Sequence, residues 1–207
     1  MKPTNVYVDG FNLYYGAVRG TTHKWLNIER MFTLLRPHDD LQTIYYFTAL
    51  IDGSHRNNQT EYLRALETLP KVRTVMGRFK FKRIVCTVPA CTFAGSWFFS
   101  MPEEKRTDVQ IALAMAKDAW QGTCQRMILV SGDSDLVPAI NLVKEISPRT
   151  EVVVYVPARH QARGAAVELR GAADKDRILP NNLLQHSQLP ARLDDGEGRP
   201  ICKPSSW

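Results

Sequence analysis

Four aspartates in three separated segments are the residues of this chain whose types and spacing best suit catalysis. Asp9 follows a short apolar run, Asp108 opens an alanine-rich helical segment, and Asp133 and Asp135 follow a second apolar run. Two segments thus place carboxylates where a buried strand ends, and the carboxyl ends of parallel strands form the ligand crevice of an open α/β sheet. Carboxylates converging there predict a site for Mg²⁺ or Mn²⁺, hard cations that prefer oxygen ligands and serve phosphoryl chemistry.

Each acid also has a purely structural interpretation. Asp9 suits a turn, Asp108 suits the first turn of a helix because of the helix dipole, and one acid after the second apolar run suits a helix N-cap. Asp133 and Asp135 together place like charges close to each other, which is unfavourable unless a cation or base intervenes. The pair therefore favours a functional interpretation. Asp118 lies about 15 Å along the helix from Asp108 and is expected to be a surface or structural acid.

Strands and helices alternate along the chain, which predicts a parallel sheet covered on both faces. Apolar, β-branched runs predict strands at 5–8, 43–50, 72–75, 127–130 and 151–156, with a short final strand at 178. Helical periodicity predicts helices at about 28–36, 59–69, 108–120, 136–146 and 162–173. The predicted cap of the third helix is Thr107 or a neighbour.

Three motifs carry a resemblance to a known family. The segments VYVDGFNLYYG, EKRTDVQIALAMAKDA and LVSGDSDLVPAI, in this order, resemble the NYN domain, the LabA-like branch of the PIN-like nuclease superfamily. The resemblance covers roughly residues 4–180. It implies a Rossmann-like three-layer α/β/α sandwich with a mainly parallel sheet, one or two bound Mg²⁺ or Mn²⁺ ions, and cleavage of RNA.

The resemblance also implies roles for individual residues. The metal-binding and catalytic acids would be Asp9, Asp108, Asp133 and Asp135. Asn12 would be the polar companion of the first acid, and Ser131 the small hydroxyl residue of the loop that holds the last two. Lys105 and Arg106 flank the helix-borne acid and are therefore expected beside the substrate phosphate.

The segment 76–102 is irregular and is expected to be a variable arm or insertion. Basic residues alternate with Phe79 and Phe81 in its motif GRFKFKR, so a strand there would carry basic side chains on one face and aromatic rings on the other. Two interpretations stay open: an arm that holds RNA through phosphate contacts and base stacking, or an edge strand with core phenylalanines and a charged outer face.

Length and composition bound the rest. The chain has 207 residues and a net charge of +6, which suits one domain and a polyanionic partner. Residues 1–190 are expected to form that domain, and 191–207 a polar, loosely ordered tail. No apolar run approaches about 18 residues and no signal-peptide pattern begins the chain, so a cytoplasmic protein with no membrane segment and reduced cysteines is expected. Cys86 and Cys91 could begin a zinc site, although no matching second pair follows.

The sequence therefore predicts an enzyme, a divalent-metal-dependent RNA endonuclease that hydrolyses phosphodiester bonds at an aspartate cluster. A homodimer stays open. Two alternatives are a non-cleaving RNA-binding or regulatory module with a vestigial metal pocket, and a hydrolase of small phosphate esters. The segment VDGFN lacks the DxDx[TV] motif of one large phosphatase class, and no GxGxxG follows the first strand, which argues against a dinucleotide-binding domain.

Overall fold

The computed structural model describes residues 1–51, 53, 56–86, 88, 98–158 and 167–207, with the backbone alone for 98–99. A six-stranded sheet forms its centre, and every neighbouring pair of strands is parallel. In spatial order the strands are β3 (Val72–Met76), β2 (Asp39–Thr48), β1 (Lys2–Asp9), β6 (Arg126–Val130), β7 (Glu151–Val156) and β8 (Lys175–Ile178).

The central strands form because their apolar, β-branched residues are buried on both faces of the sheet. In β1, Val6 and Val8 pack into one hydrophobic core, whereas Tyr7 between them packs into a second core on the opposite face. All five residues of β6 are buried. Near-continuous apolar runs of this kind are typical of parallel strands with helices on both sides.

Helices cover both faces of the sheet. In chain order they are α1 (Gly10–Leu13), α2 (Ile28–Leu35), α3 (Arg56–Glu67), α4 (Thr107–Gln121), α5 (Val137–Ile146), α6 (Val167–Ala172) and α7 (Asn182–His186). A π-helical turn (Tyr14–Val18) continues α1, and a 3₁₀ turn (Ser134–Leu136) precedes α5. Phe32 of α2 and Leu66 of α3 belong to one core, and Ile111 of α4 and Ile140 of α5 to the other. The predicted three-layer α/β/α architecture is confirmed.

Part of the predicted arm is an antiparallel hairpin of β4 (Arg78–Val85) and β5 (Phe98–Lys105), which forms a sheet of its own. It is therefore not an edge strand of the central sheet. Phe79 is half-buried with its ring 5.5 Å from that of Phe11, whereas Phe81 is 57% exposed, so only the first of the two phenylalanines packs inward. Cys91 lies outside the described residues, and the zinc prediction lies there with it.

The segment 191–207, expected to be loosely ordered, contains a second hairpin of β9 (Arg192–Asp194) and β10 (Pro200–Cys202). Ile201 is fully buried, and the Trp207 ring lies 6.2 Å from Trp25 and 5.8 Å from Tyr62. Burial of isolated apolar residues orders this polar segment, a long-range effect with no periodic signal in the sequence. The division of the chain into a domain at 1–190 and a tail at 191–207 stays a prediction. Among the described residues, no helix is both long and apolar enough to cross a membrane.

Candidate active site at the carboxyl end of the sheet

The predicted acids at the strand ends lie where the order of the strands reverses. From β1 the chain proceeds to β2 and β3 on one side, whereas β6, β7 and β8 extend on the other. Asp9 is the last residue of β1, and Ser131 directly follows β6, whose Val130 pairs with Val8. Reversal points of open α/β sheets leave a crevice outside the carboxyl ends of the strands, and ligands bind there.

Asp9 is a buried carboxylate, 3% exposed, held by three donors. Its Oδ1 accepts from the Asn12 amide at 3.0 Å, and its Oδ2 from Asn12 Nδ2 at 2.6 Å and Ser131 Oγ at 3.1 Å. Burial raises the pKa of Asp9, and these hydrogen bonds oppose part of that rise. Because a carboxylate oxygen accepts about two bonds, Oδ1 can accept one more.

Hydrogen bonds join the turn after β1 to the loop after β6. Asn12 Oδ1 accepts from the Gly132 amide at 3.1 Å, which fixes the orientation of the Asn12 side chain. The Asp133 amide donates to Ser131 Oγ at 3.1 Å, and Asp133 Oδ1 accepts from the Asp135 amide at 3.0 Å. Asp133 thereby caps the 3₁₀ turn before α5, as the structural interpretation of one of these acids expected.

Asp108 lies in the first turn of α4 and is electrostatically coupled to the other acids. Burial is the largest cause that raises its pKa to about 6, followed by the charges of Asp9, Asp133, Glu104 and Asp135. The three predicted segments thus bring their carboxylates close enough to repel one another.

Glu104 is an acid of this cluster that the sequence did not single out. Its Oε1 accepts from the Thr107 amide at 3.2 Å and from the Thr107 hydroxyl, so Glu104 caps α4 from the end of β5. The predicted cap is Thr107 or a neighbour. Thr107 is the first helical residue, and the N-cap position belongs to its neighbour Arg106, which makes no capping side-chain bond. Glu104 precedes Asp108 by four residues in the sequence. The turn between the hairpin and α4 brings the Glu104 carboxylate beside the Asp108 carboxylate.

The two basic residues expected beside the substrate phosphate are Lys105 and Arg106. Lys105 and Arg106 are exposed, and Lys105 Nζ is bound to Glu103 Oε1 at 2.6 Å. Among the described residues neither forms an ion pair with a predicted acid. Arg106 has a φ of 83°, a left-handed conformation unusual for a residue with a side chain, at the junction that directs α4 toward the cluster.

The donor chemistry of the cluster fits a hard divalent cation. Every candidate ligand is a carboxylate oxygen, and Asp9 Oδ1 accepts one hydrogen bond and can accept another. Repulsion among the acids adds to the burial that raises the pKa of Asp108, and a bound cation relieves such repulsion. In the described part of the chain, no three acidic, histidine or cysteine side chains stand at ligating distances from a common point. The acids therefore form a coupled but open cluster, whose side chains would converge on an ion.

Asp118, on the same helix as Asp108, has a structural role. It is buried, and its Oδ2 accepts from Asn5 Nδ2 at 2.8 Å and from Tyr7 Oη at 2.6 Å. Of the two expected roles for this acid, the structure selects the structural one, since these bonds tie α4 to β1 and thereby help to position the start of the helix.

Comparison with known proteins assigns the family. The profile of the NYN domain matches residues 3–179, and the chain belongs to this family. Family membership indicates a nuclease-type function, and the nucleases of this family act on RNA.

Two relatives extend the comparison. The chain is 27% identical over 239 residues to the 6-hydroxy-3-succinoylpyridine 3-monooxygenase HspA of Pseudomonas putida, a match covering 99% of this chain and 75% of that protein. A crystal structure of a protein of unknown function from Vibrio parahaemolyticus has the same fold, with a TM-score of 0.58 and 17% identity, covering 91% of this chain and 96% of the other.

Proposed function

We propose that this protein is a divalent-metal-dependent RNA endonuclease of the LabA-like branch of its family. One observation carries the proposal: carboxylates from β1, from the loop after β6 and from the start of α4 are electrostatically coupled at the reversal point of the sheet. Burial first, and then the charges of the neighbouring acids, raise the pKa of Asp108 to about 6. Such concentrated negative charge in a chain of net charge +6 is costly unless a cation offsets it.

The proposed ligands are Asp9, Asp108 and Asp133, with Asp135 as a further ligand or an acceptor that orients the attacking water. When bound, one or two Mg²⁺ or Mn²⁺ ions would neutralise the phosphodiester and lower the pKa of a bound water. Asn12 and Ser131 act on Asp9 by fixing both of its oxygens. Their hydrogen bonds stabilise the charged form of a carboxylate that burial disfavours.

The hairpin of β4 and β5 supplies a proposed RNA-facing surface beside this cluster. Arg78, Lys80 and Lys82 of β4 are exposed on one face of the strand, and the ring of Phe81, which is 57% exposed, lies on the other face. Exposed basic side chains neutralise the phosphates of RNA, and an exposed aromatic ring offers a face on which a nucleobase can stack. This arrangement favours the RNA-holding interpretation of the arm over the edge-strand interpretation.

Cleavage of labelled RNA tests the proposed reaction. The protein is expected to cut single-stranded or structured RNA when Mg²⁺ or Mn²⁺ is present, and excess EDTA is expected to abolish cutting. Titration of Mn²⁺, followed by electron paramagnetic resonance, should show binding that competes with Mg²⁺. A protein that binds RNA but cuts none with either ion would contradict the proposal and favour the non-cleaving module.

A second candidate function is oxygenation of a heteroaromatic acid. Two observations favour it: similarity to a pyridine monooxygenase across 99% of this chain, and a cavity beside Asp9 lined by aromatic rings and two cations. Such a reaction inserts one oxygen atom of dioxygen into the ring and reduces the other to water with two electrons from a reductant. Incubating 6-hydroxy-3-succinoylpyridine with the protein, ¹⁸O₂ and NADH tests it, since mass spectrometry would detect a labelled hydroxylated product.

A further inference from the structure

A cavity of about 490 Å³ lies beside the acid cluster, on the side of α1 that faces α3. Its volume is within the range of about 300–1,000 Å³ typical of small-molecule sites. Six of the described lining side chains are aromatic: Phe11, Tyr14, Tyr15, Tyr46, Tyr62 and Trp207. No described lining residue has an acidic side chain.

The aromatic walls are held by one another. The ring of Tyr62 lies 6.2 Å from Tyr46 and 5.8 Å from Trp207, both in non-parallel arrangements, and Tyr14 lies edge-on to Tyr15 at 5.2 Å. Tyr62 Oη is also fixed by a 2.9 Å bond to the carbonyl of Leu26. Aromatic walls in fixed positions favour a planar aromatic guest, because its binding needs no rearrangement of the walls.

Two cations line the same cavity. The guanidinium of Arg19 lies 5.3 Å from the Tyr15 ring centroid, and Lys24 Nζ lies 6.0 Å from that of Trp207. Within the described residues, neither cation forms an ion pair with a carboxylate. Their charges are thus available to an anionic group on a guest, and charge-assisted bonds to such a group are stronger than neutral ones.

The cavity reaches the turn that follows Asp9. Gly10 lines it, and a Cβ atom there would lie 2.6 Å from the carbonyl oxygen of Phe47 and 2.9 Å from the Tyr46 ring. The absence of a side chain at Gly10 therefore lets Tyr46 pack directly against this turn. Gly10 directly follows Asp9 in the chain, so the cavity wall begins one residue from the first acid of the cluster.

We infer that this cavity binds one planar heteroaromatic ring that carries an anionic group, with the ring between the aromatic walls and the anion at Arg19 and Lys24. Two sources supply this chemistry: a nucleotide of an RNA strand, or a free heteroaromatic carboxylate. The inference does not rest on RNA cleavage, since it needs neither the acids nor a metal ion.

Calorimetric titration in EDTA tests the inference. In the nucleotide arm, adenosine and uridine monophosphates are compared with the neutral nucleosides adenosine and uridine. In the free-acid arm, nicotinate is compared with the neutral nicotinamide. Inorganic phosphate is the control that carries an anion without a ring. In one arm or both, the anionic compound should bind at least about tenfold more tightly than its neutral partner. Its affinity should exceed that of inorganic phosphate by the same factor. The arm that binds more tightly identifies the source.

Variants locate the binding. In the double variant Arg19→Gln with Lys24→Gln, the preference for the anionic partner should fall at least about tenfold, and Trp207→Ala should weaken ring binding about five- to hundredfold. Arg149→Gln, an exposed cation just before β7 at the opposite end of the sheet, should bind like the parent.

The inference would be overturned if no anionic ring binds more tightly than phosphate, or if the double variant binds them as the parent does. Such a failure would leave RNA cleavage untouched. Conversely, a protein that binds these probes but never cuts RNA would keep the cavity site and lose the proposed reaction.

Discussion

Ser131 Oγ donates a hydrogen bond to Asp9 Oδ2 at 3.1 Å across 122 residues of sequence. The bond joins the ends of β1 and β6, the two strands between which the sheet reverses. It also links the buried first acid to the loop that carries Asp133, whose amide donates to the same hydroxyl. One small side chain thus fixes the relative position of two proposed metal ligands.

Asn12→Ala should destabilise the protein. The change removes the Nδ2 donor of the 2.6 Å bond to Asp9 and the acceptor of the Gly132 amide, and leaves the buried carboxylate with fewer partners. A loss of about 1–3 kcal/mol in the free energy of unfolding is expected, measured in urea. Asn58→Ala, whose side chain bonds only to Ser206 Oγ among the described residues, is the control and should lose less. Equal stability of Asn12→Ala and parent would contradict this role of Asn12.

The metal-free protein should lose stability as pH rises through about 6. The pKa of Asp108 is raised to about 6 from an ordinary value of 3.8, so the folded state binds this proton more tightly than the unfolded state does. The resulting contribution is present below about pH 4, declines up to about pH 6 and is absent above it.

Urea unfolding in EDTA at about pH 4 and about pH 7.5 measures this effect. Asp108→Asn should show a smaller decline than the parent, while Asp40→Asn, an exposed acid at the opposite end of the sheet, should decline like the parent. An identical decline in parent and Asp108→Asn would show that the pKa of Asp108 is not raised in the folded protein.

Gly77→Ala should disturb the start of α4. A Cβ atom at Gly77 would lie 2.7 Å from Thr107 Oγ1 and 3.0 Å from Glu104 Oε1, so the added methyl would displace the helix cap. Overpacking of this kind costs about 1–3 kcal/mol, and the shift at the cap should also lower the pKa of Asp108 as Glu104 moves away. Gly171→Ala is the control, because a Cβ atom there meets nothing within 4 Å.

NMR titration of the Asp108 carboxyl and urea unfolding together measure the result for Gly77→Ala. An unchanged stability and an unchanged Asp108 pKa would mean that Glu104 and Thr107 yield freely, and that the hairpin does not position this acid.

The sequence predicted the acids of the strand ends well because two local signals coincide there. Short apolar, β-branched runs mark β1 and β6, and the carboxyl ends of parallel strands always lie at the same edge. The placement of Asp9 at the end of β1 and of Asp133 in the loop after the neighbouring β6 follows from these rules once the strand order is known. Their roles as metal ligands stay a prediction.

Features that depend on long-range packing escaped sequence reasoning. Glu104 acts through the turn between β5 and α4, where the left-handed Arg106 redirects the chain. Trp207 reaches its aromatic neighbours from a segment whose polar composition predicted looseness. Lys105 was expected beside the substrate phosphate because it lies close to Asp108 in the sequence, whereas in the structure it forms an ion pair with Glu103.

The rate of RNA cleavage by Asp133→Asn tests the central claim most directly. The change removes one negative charge and nearly preserves shape, and Asp40→Asn makes the same chemical change at an exposed position far from the cluster. With circular dichroism confirming both folds, the account predicts that Asp133→Asn cuts labelled RNA at least about 100-fold more slowly than the parent in Mn²⁺, while Asp40→Asn cuts like the parent. A folded Asp133→Asn protein that cuts as fast as the parent would contradict a metal-dependent nuclease at this site.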